Sequence, residues 1–400
     1  MNAVKRVYCR TFQTVLKVAI PFLPYRTPKV VGSVRKLPDI LRKQKCRCLL
    51  IITDQGIRKL GLLRPLERTL KESKIPYVIY DGTVANPTTD NVKEALELYR
   101  TNGCNAIVGF GGGSSMDCAK AVGACIAKPK QTLAQMKGIL KVHKKLPLLI
   151  AIPTTAGTGS ETTLAAVITD AQTRHKYAIN DFPLIPRYAV LDPKVTESLP
   201  PFITATTGMD ALTHAVEAYI GNSTTYGTRK NACMAVEMIF RNLDRAYENG
   251  SDLEARKEML KASYYAGCAF SKSYVGYVHA VAHSLGGEYN VPHGYANAVL
   301  LPFVLEAYGD TIHKKLYHLA VAAGVAEEGT PCDAAAEKFI QAIRDMKKRF
   351  GIGDTIPEIW KEDIPRLARY ADKEANPLYP VPVLMDAKEL EHFYELLLEK

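Results

Sequence analysis

The chain has 400 residues, is 47% hydrophobic and carries a formal net charge of +11. Single cores stop growing at roughly 250–300 residues, so two domains are expected. No run approaches the roughly 18 apolar residues of a membrane span. The nine cysteines are scattered without a Cys-x-x-Cys, which argues against a disulfide framework or a cysteine zinc site and for a reducing cytoplasm.

The charge is unevenly spread. Residues 1–38 hold eight Lys/Arg and no acid. Within them, Val4, Val7, Tyr8, Thr11, Phe12, Val15 and Val18 fall at helical spacing, predicting an amphipathic helix over about 4–19. A targeting peptide and a membrane-surface or anion-seeking helix are two readings. A helix docked on the protein body is preferred, because it runs into PFLPYRTP without a cleavage-like site. No aromatic–basic interleaving supports nucleic-acid binding, and neither nucleic acid nor a membrane is expected as a partner.

From residue 46 the pattern alternates. Strands are predicted at 46–54, 76–82, 104–110 and 146–155, with helices at 57–73, 89–103 and 115–127. Such βαβα order predicts a parallel sheet with helices on both faces. After Pro200-Pro201 the periodicity is helical almost throughout, at 204–220, 227–249, 252–270, 274–286, 293–308 and 313–323. The expected organisation is an α/β dinucleotide-binding domain over 1–200, including the N-terminal helix, and an all-α metal-binding domain over 201–400.

Several positions carry chemistry. Gly111-Gly112-Gly113-Ser114 lies between a strand and a helix, where backbone without Cβ can approach a pyrophosphate at a helix N-terminus. It is not a GxGxxG fingerprint, since Ser114 stands at the third glycine position, and a tight turn is the alternative, but the placement between strand and helix favours a nucleotide loop. A second loop of small residues, Thr154 to Ser160, follows another strand at the end where ligands bind open α/β sheets; Ser160 as a helix cap is the alternative. Asp54 ends a strand, where a carboxylate can accept from a ribose hydroxyl and repel a 2′-phosphate, or simply close an Asx turn before Gln55-Gly56. In the second half Asp210 and His214 are four apart, on one helical face. His279, His283 and His293 follow within eighty residues. Three imidazoles and one carboxylate suit iron or zinc, although a bare Asp-x-x-x-His also recurs by chance.

Together GGGSSMDCAK, IPTTAGTGSE, TTGMDALTHAVEAY and VHAVAH…PHGYANAVLLP resemble the iron-dependent (group III) alcohol dehydrogenases, over about residues 28–385. The resemblance implies an α/β NAD domain and a helical domain holding Fe(II), or sometimes Zn, through Asp210, His214, His279 and His293. It implies a pyrophosphate loop of Gly111, Gly112, Gly113, Ser114 and Asp117, and a second nucleotide loop with Thr154, Thr155 and Thr158. Asp54 matches an acidic position linked to NAD preference, His283 a histidine near nicotinamide and metal, and Phe270 an aromatic of the substrate pocket.

Thr163-Leu164-Ala165 departs from diol-specific relatives in lacking polar groups, and the tail EANPLYPVPVLMD departs from an NPR-type ending. Leu164, Ala165 and Phe270 therefore predict an apolar pocket for small primary alcohols and aldehydes. The expected chemistry is hydride exchange between nicotinamide and a substrate bound to the metal through oxygen, with His283 either a proton shuttle or a packing residue. The rival readings are a zinc glycerol or polyol dehydrogenase, a dehydroquinate-synthase-like lyase and a non-catalytic assembly relative. A homodimer or larger homo-oligomer is expected.

Overall fold

The computed structural model describes residues 1–398 and divides into two compact units, 24–198 and 1–23 with 199–400. In the first unit, strands β1 (Lys29–Val31), β2 (Leu49–Ile52), β3 (Tyr77–Tyr80), β4 (Ala106–Gly111), β6 (Leu148–Pro153) and β9 (Tyr188–Val190) form a parallel sheet in the order β1-β9-β6-β4-β2-β3. Successive strand side chains point to opposite faces, and the core follows that rule. Leu50, Ile52 and Ile107 pack on the helices Thr89–Thr101 and Gly113–Ala127. Leu49, Ile51 and Val108 pack on the opposite layer, with Leu41, Leu66 and Leu70. A central parallel strand is apolar on both faces because helices cover both.

The single helix predicted over 57–73 is two, Gln55–Lys59 and Arg64–Glu72. Pro65 stands in the first turn of the second, where a missing N–H costs nothing but a preceding helix cannot run through it. A small sheet of β5 (Gly138–Ile139), β8 (Lys176–Asn180) and β7 (Ala165–Thr169) was not foreseen.

The second unit is helical. Its helices include Pro201–Ile220, Tyr226–Glu248, Leu253–Ser273, Tyr277–Tyr289, His293–Tyr308 and Ile364–Ala375. No helix among the described residues is long and apolar enough to cross a membrane.

One expectation about the N-terminus needs correction. The helix Ala3–Ala19 belongs to the helical unit, not to the α/β one. It docks through its polar side and leaves its apolar stripe outward. Arg10 donates to the carbonyls of Val381 and Pro382 at 2.7 and 2.6 Å, and buried Gln13 donates to that of Tyr379 at 2.7 Å. Lys5 pairs with Asp372 at 2.6 Å, and the terminal ammonium with Asp386 at 2.7 Å. The tail segment around 377–382 offers a row of carbonyls that needs donors, and unsatisfied buried carbonyls are costly. That demand decides which side of the helix faces in.

Candidate active site

In the α/β unit, the strand–helix turn after β4 is built for close approach. Gly111 has φ +152°, and a Cβ there would lie 2.5 Å from Ser115 Oγ, so only glycine fits. Gly112 caps the helix Gly113–Ala127, whose first N–H groups have no partner within the helix. A pocket of about 530 Å³ opens here, lined by Asp54, Gln55, Gly56, Asp81, Gly82, Thr83, Val84, Ala85, Gly112, Gly113, Ser114 and Ser115. Asp54 Oδ1 accepts from Ile57 N at 2.9 Å as a helix cap, and the residue also lines the pocket.

The second loop lies against the first. Thr154 N donates to Gly111 O at 3.1 Å, and Thr155 and Thr158 lie beside Gly112 and Gly113. The buried Thr155 hydroxyl has no protein partner among the described residues. Asp117 turns away from the pocket lining. It accepts from Ser160 Oγ at 2.8 Å and Val167 N at 3.1 Å, tying the helix to the second loop and β7. Ser160 is thus a cross-link and not a helix cap.

Sequence reasoning missed a charged pair beneath this loop. Lys120, fully buried, donates to Ser160 Oγ, Thr163 Oγ1 and Ala165 O at 2.7–2.8 Å. Burial lowers its pKa, against the pull of Asp117 and Glu161. Glu161 is buried and neither carboxyl oxygen finds a hydrogen-bond partner among the described residues. Burial pushes its pKa up to about 7. A lysine three residues after Asp117 in an otherwise uncharged helix was the available signal.

Leu164 and Ala165 are half-buried, leading into and beginning β7. Phe270 is also half-buried, on the helix Leu253–Ser273 of the other unit, and stacks on His214 with ring centroids 4.1 Å apart.

In the helical unit, Asp210, His214, His279 and His293 come together, with one ligand atom from each lying within 4.8 Å of all the others. Asp210 and His214 ride the helix Pro201–Ile220, His279 the helix Tyr277–Tyr289, and His293 opens the helix His293–Tyr308. The last helix reaches Asp210 because residue 294 is glycine: a Cβ there would lie 2.5 Å from Thr206 O. Asp210, His214 and His279 are buried, whereas the His293 side chain is 38% exposed and gives the cluster its open side.

Residues unseen in the sequence hold the cluster in place. Glu217 accepts from Gly276 N and Val278 N at 2.8 and 2.9 Å, capping the helix Tyr277–Tyr289, and meets His279 Nδ1 at 2.6 Å. Burial pushes the Glu217 carboxyl up to about 7, while those N–H donors pull it down. Nδ1 of His279 thereby carries the proton and Nε2 turns its lone pair to the cluster. Burial and the neighbouring imidazoles hold His279 well below imidazole's ordinary range, so it is neutral. Asn297 Nδ2 reaches Asp210 Oδ1, His293 Nε2 and His279 Nε2 at 2.7, 3.1 and 3.2 Å. Both residues had a spacing signal: Glu217 follows His214 by three and Asn297 follows His293 by four.

His283 lies at the edge of the cluster, stacked on His293 with centroids 5.1 Å apart. Its Nδ1 meets Glu374 Oε1 at 2.6 Å, and the Tyr379 hydroxyl donates to the same oxygen at 2.7 Å. Burial opposes ionisation of Glu374, but His283 and Tyr379 outweigh it and hold the carboxyl below its ordinary range. The tail that departs from an NPR-type ending supplies both residues.

Comparison with known proteins agrees with this arrangement. The family model for iron-containing alcohol dehydrogenase matches residues 28–193, and that for the Fe-containing alcohol dehydrogenase family C-terminal region matches 204–397. The chain is 41% identical to alcohol dehydrogenase 4 of Schizosaccharomyces pombe over 83% of this chain and 79% of the relative. It is 35% identical to an NAD-dependent methanol dehydrogenase of Bacillus methanolicus, over 88% and 92% of the two chains. A crystal structure of 1,3-propanediol oxidoreductase superposes with a TM-score of 0.89 at 35% identity, covering 93% of this chain and 98% of that one.

The buried Glu161 gives a pH prediction. An unfolded glutamic acid loses its proton near 4.5 and the folded one near 7. Between those values the folded state binds more protons, so stability falls as pH rises, by up to about 3 kcal/mol in all. Glu161→Gln cannot ionise and should flatten this slope. Denaturant unfolding at about pH 5 and about pH 8 measures it; parallel wild-type and variant profiles would contradict the assignment.

Proposed function

The chain belongs to the iron-containing alcohol dehydrogenase family, and from that membership we propose that it is a metal-dependent, NAD-linked alcohol dehydrogenase and aldehyde reductase. The observation that carries this reading is the buried cluster of Asp210, His214, His279 and His293. Three neutral imidazoles and one carboxylate bear a net charge of −1, which fits a divalent cation, and their mix of nitrogen and oxygen donors suits Fe(II), with Zn the alternative. Held there, such a cation polarises an alcohol or aldehyde oxygen.

The chain's own residues do the rest. Glu217 fixes the His279 tautomer, and Asn297 orients Asp210 and His293. Phe270 stacks on His214 and excludes water from one side of it. Glu374 holds the Nδ1 proton of His283, leaving Nε2 to take the substrate's hydroxyl proton and release it to solvent. NAD is assigned to the α/β unit. The turn at Gly111, Gly112, Gly113 and Ser114 takes the pyrophosphate, Thr154, Thr155 and Thr158 border it, and Asp54 accepts from the ribose. Asp117 acts through Ser160 and not on the cofactor. The methanol dehydrogenase relative is named NAD-dependent, in keeping with Asp54. Small unbranched primary alcohols are the proposed substrates, with Phe270 as an apolar wall beside His214.

Two measurements test this reading. His279→Ala should lose most bound metal and nearly all NADH oxidation with a short aldehyde. Glu217→Gln should weaken metal affinity by about 10–100-fold, read by competition with a chelator. Full metal content and turnover in His279→Ala would sink the ligand assignment. For the substrate, kcat/KM from ethanol to hexanol should rise by up to about fourfold per methylene until the pocket is full. A hundredfold preference for glycerol over butanol would show the pocket to be polar.

A further inference from the structure

The N-terminal helix leaves an apolar stripe in solvent. Val4, Val7, Tyr8, Val15, Val18 and Phe22 are all exposed, from 58% at Tyr8 to 84% at Phe22. With Phe12, which is 38% exposed, they follow one face of the helix Ala3–Ala19 and the turn after it, no two neighbours more than four residues apart, in a line about 27 Å long. Scattered exposed valines are ordinary, but a continuous stripe on one helix face marks a surface that something covers. The polar side is already committed, through Lys5 to Asp372 and through Arg10 and Gln13 to the tail. This helix therefore cannot turn its stripe inward without surrendering those contacts.

Charge identifies the occupant. The helix carries Lys5, Arg6, Arg10 and Lys17 and no acid. Lys315 and Arg229 add positive charge near its far end, close enough to depress the pKa of Lys315 together with burial. The carboxylates nearby, Asp372, Asp386 and Glu389, lie at the beginning of the helix and already bind Lys5 and the terminal ammonium. A two-fold contact between copies would offer no carboxylate on either helix to pair with these cations. Anionic headgroups would supply the missing charge, and the acyl boundary would take the valines and aromatics. Helices of this kind lie in the plane of the interface, with the apolar face sunk roughly 5–10 Å.

We propose that the N-terminal helix seats the protein on an anionic lipid bilayer as a peripheral, non-spanning contact, with Val4, Val7, Tyr8, Val15, Val18 and Phe22 as the inserted face. This revises the expectation of no membrane partner. It is independent of the metal and cofactor assignments.

The full-length protein is mixed with vesicles of phosphatidylglycerol and phosphatidylcholine, or of phosphatidylcholine alone, and the bound fraction is read by flotation. Wild type should float with the anionic vesicles far more than with the neutral ones. Binding should weaken between about 0.05 M and about 0.5 M salt. Val7→Asp/Val15→Asp should cut binding at least about tenfold. Arg6→Glu/Lys17→Glu, which keeps the stripe, should also lose binding to the charged vesicles. Alcohol oxidation should stay at the wild-type level in both variants, which shows that they are folded. No flotation of wild type, equal binding to both vesicle types, or undiminished binding of Val7→Asp/Val15→Asp would overturn the proposal. So would an assembly that falls in mass in that variant while wild type ignores vesicles; the stripe would then be a contact between copies.

Discussion

Bringing one ligand atom from each of three imidazoles and a carboxylate within 4.8 Å of one another, three of the four residues buried, is the constraint around which the helical unit is arranged. Protonated imidazoles at that spacing would repel, and burial together with the neighbouring imidazoles holds His279 well below imidazole's ordinary range. Lone pairs aimed at one another need something positive, or at least N–H groups, in their midst. The Asn297 amide nitrogen lies 2.7–3.2 Å from three of the four residues, and the donor set matches a divalent cation. The constraint propagates outward. Glu217 must hold the far nitrogen of His279, so the helix Tyr277–Tyr289 begins where that carboxylate can also cap it. Residue 294 must be glycine, so that the helix bearing His293 can close on the one bearing Asp210.

The N-terminal helix and the divergent tail extend the same logic. The tail carries both Glu374 and Tyr379, which together engage His283. Its carbonyls at 379, 381 and 382 are in turn met by Gln13 and Arg10. A segment with little regular structure is thus held by side chains from the other end of the chain. The helix is structural in that sense, even though the face it shows to solvent is the apolar one.

Much of this was legible in the sequence, because two patterns carry it. Short unbroken apolar runs such as Leu49–Ile52 and Ala106–Gly111 mark strands covered on both faces, and the period near 3.6 after Pro200 announces the helical half. The four clustered residues were legible because their types and motif context restrict the chemistry. Glu217 and Asn297 were less so, since a glutamate or asparagine on a helix reads as a solvated surface residue until its neighbours are known. Lys120 and Glu161 escaped because a buried charge is recognised only from its tertiary partners. The break in the helix after Lys59 was hidden by an apolar pattern that continues across Pro65. For the N-terminal helix, amphipathicity gives the stripe, but which side faces in depends on what the body offers, and here it offers carbonyls.

The central claim is that one divalent cation is held by four residues of the helical unit. Crystals grown without oxygen in Fe(II), with anomalous diffraction recorded on both sides of the iron edge, test it most directly. The account predicts a single edge-dependent peak per chain, within bonding distance of Asp210, His214, His279 and His293. A peak at another set of residues, or none in protein that oxidises alcohols, would contradict it.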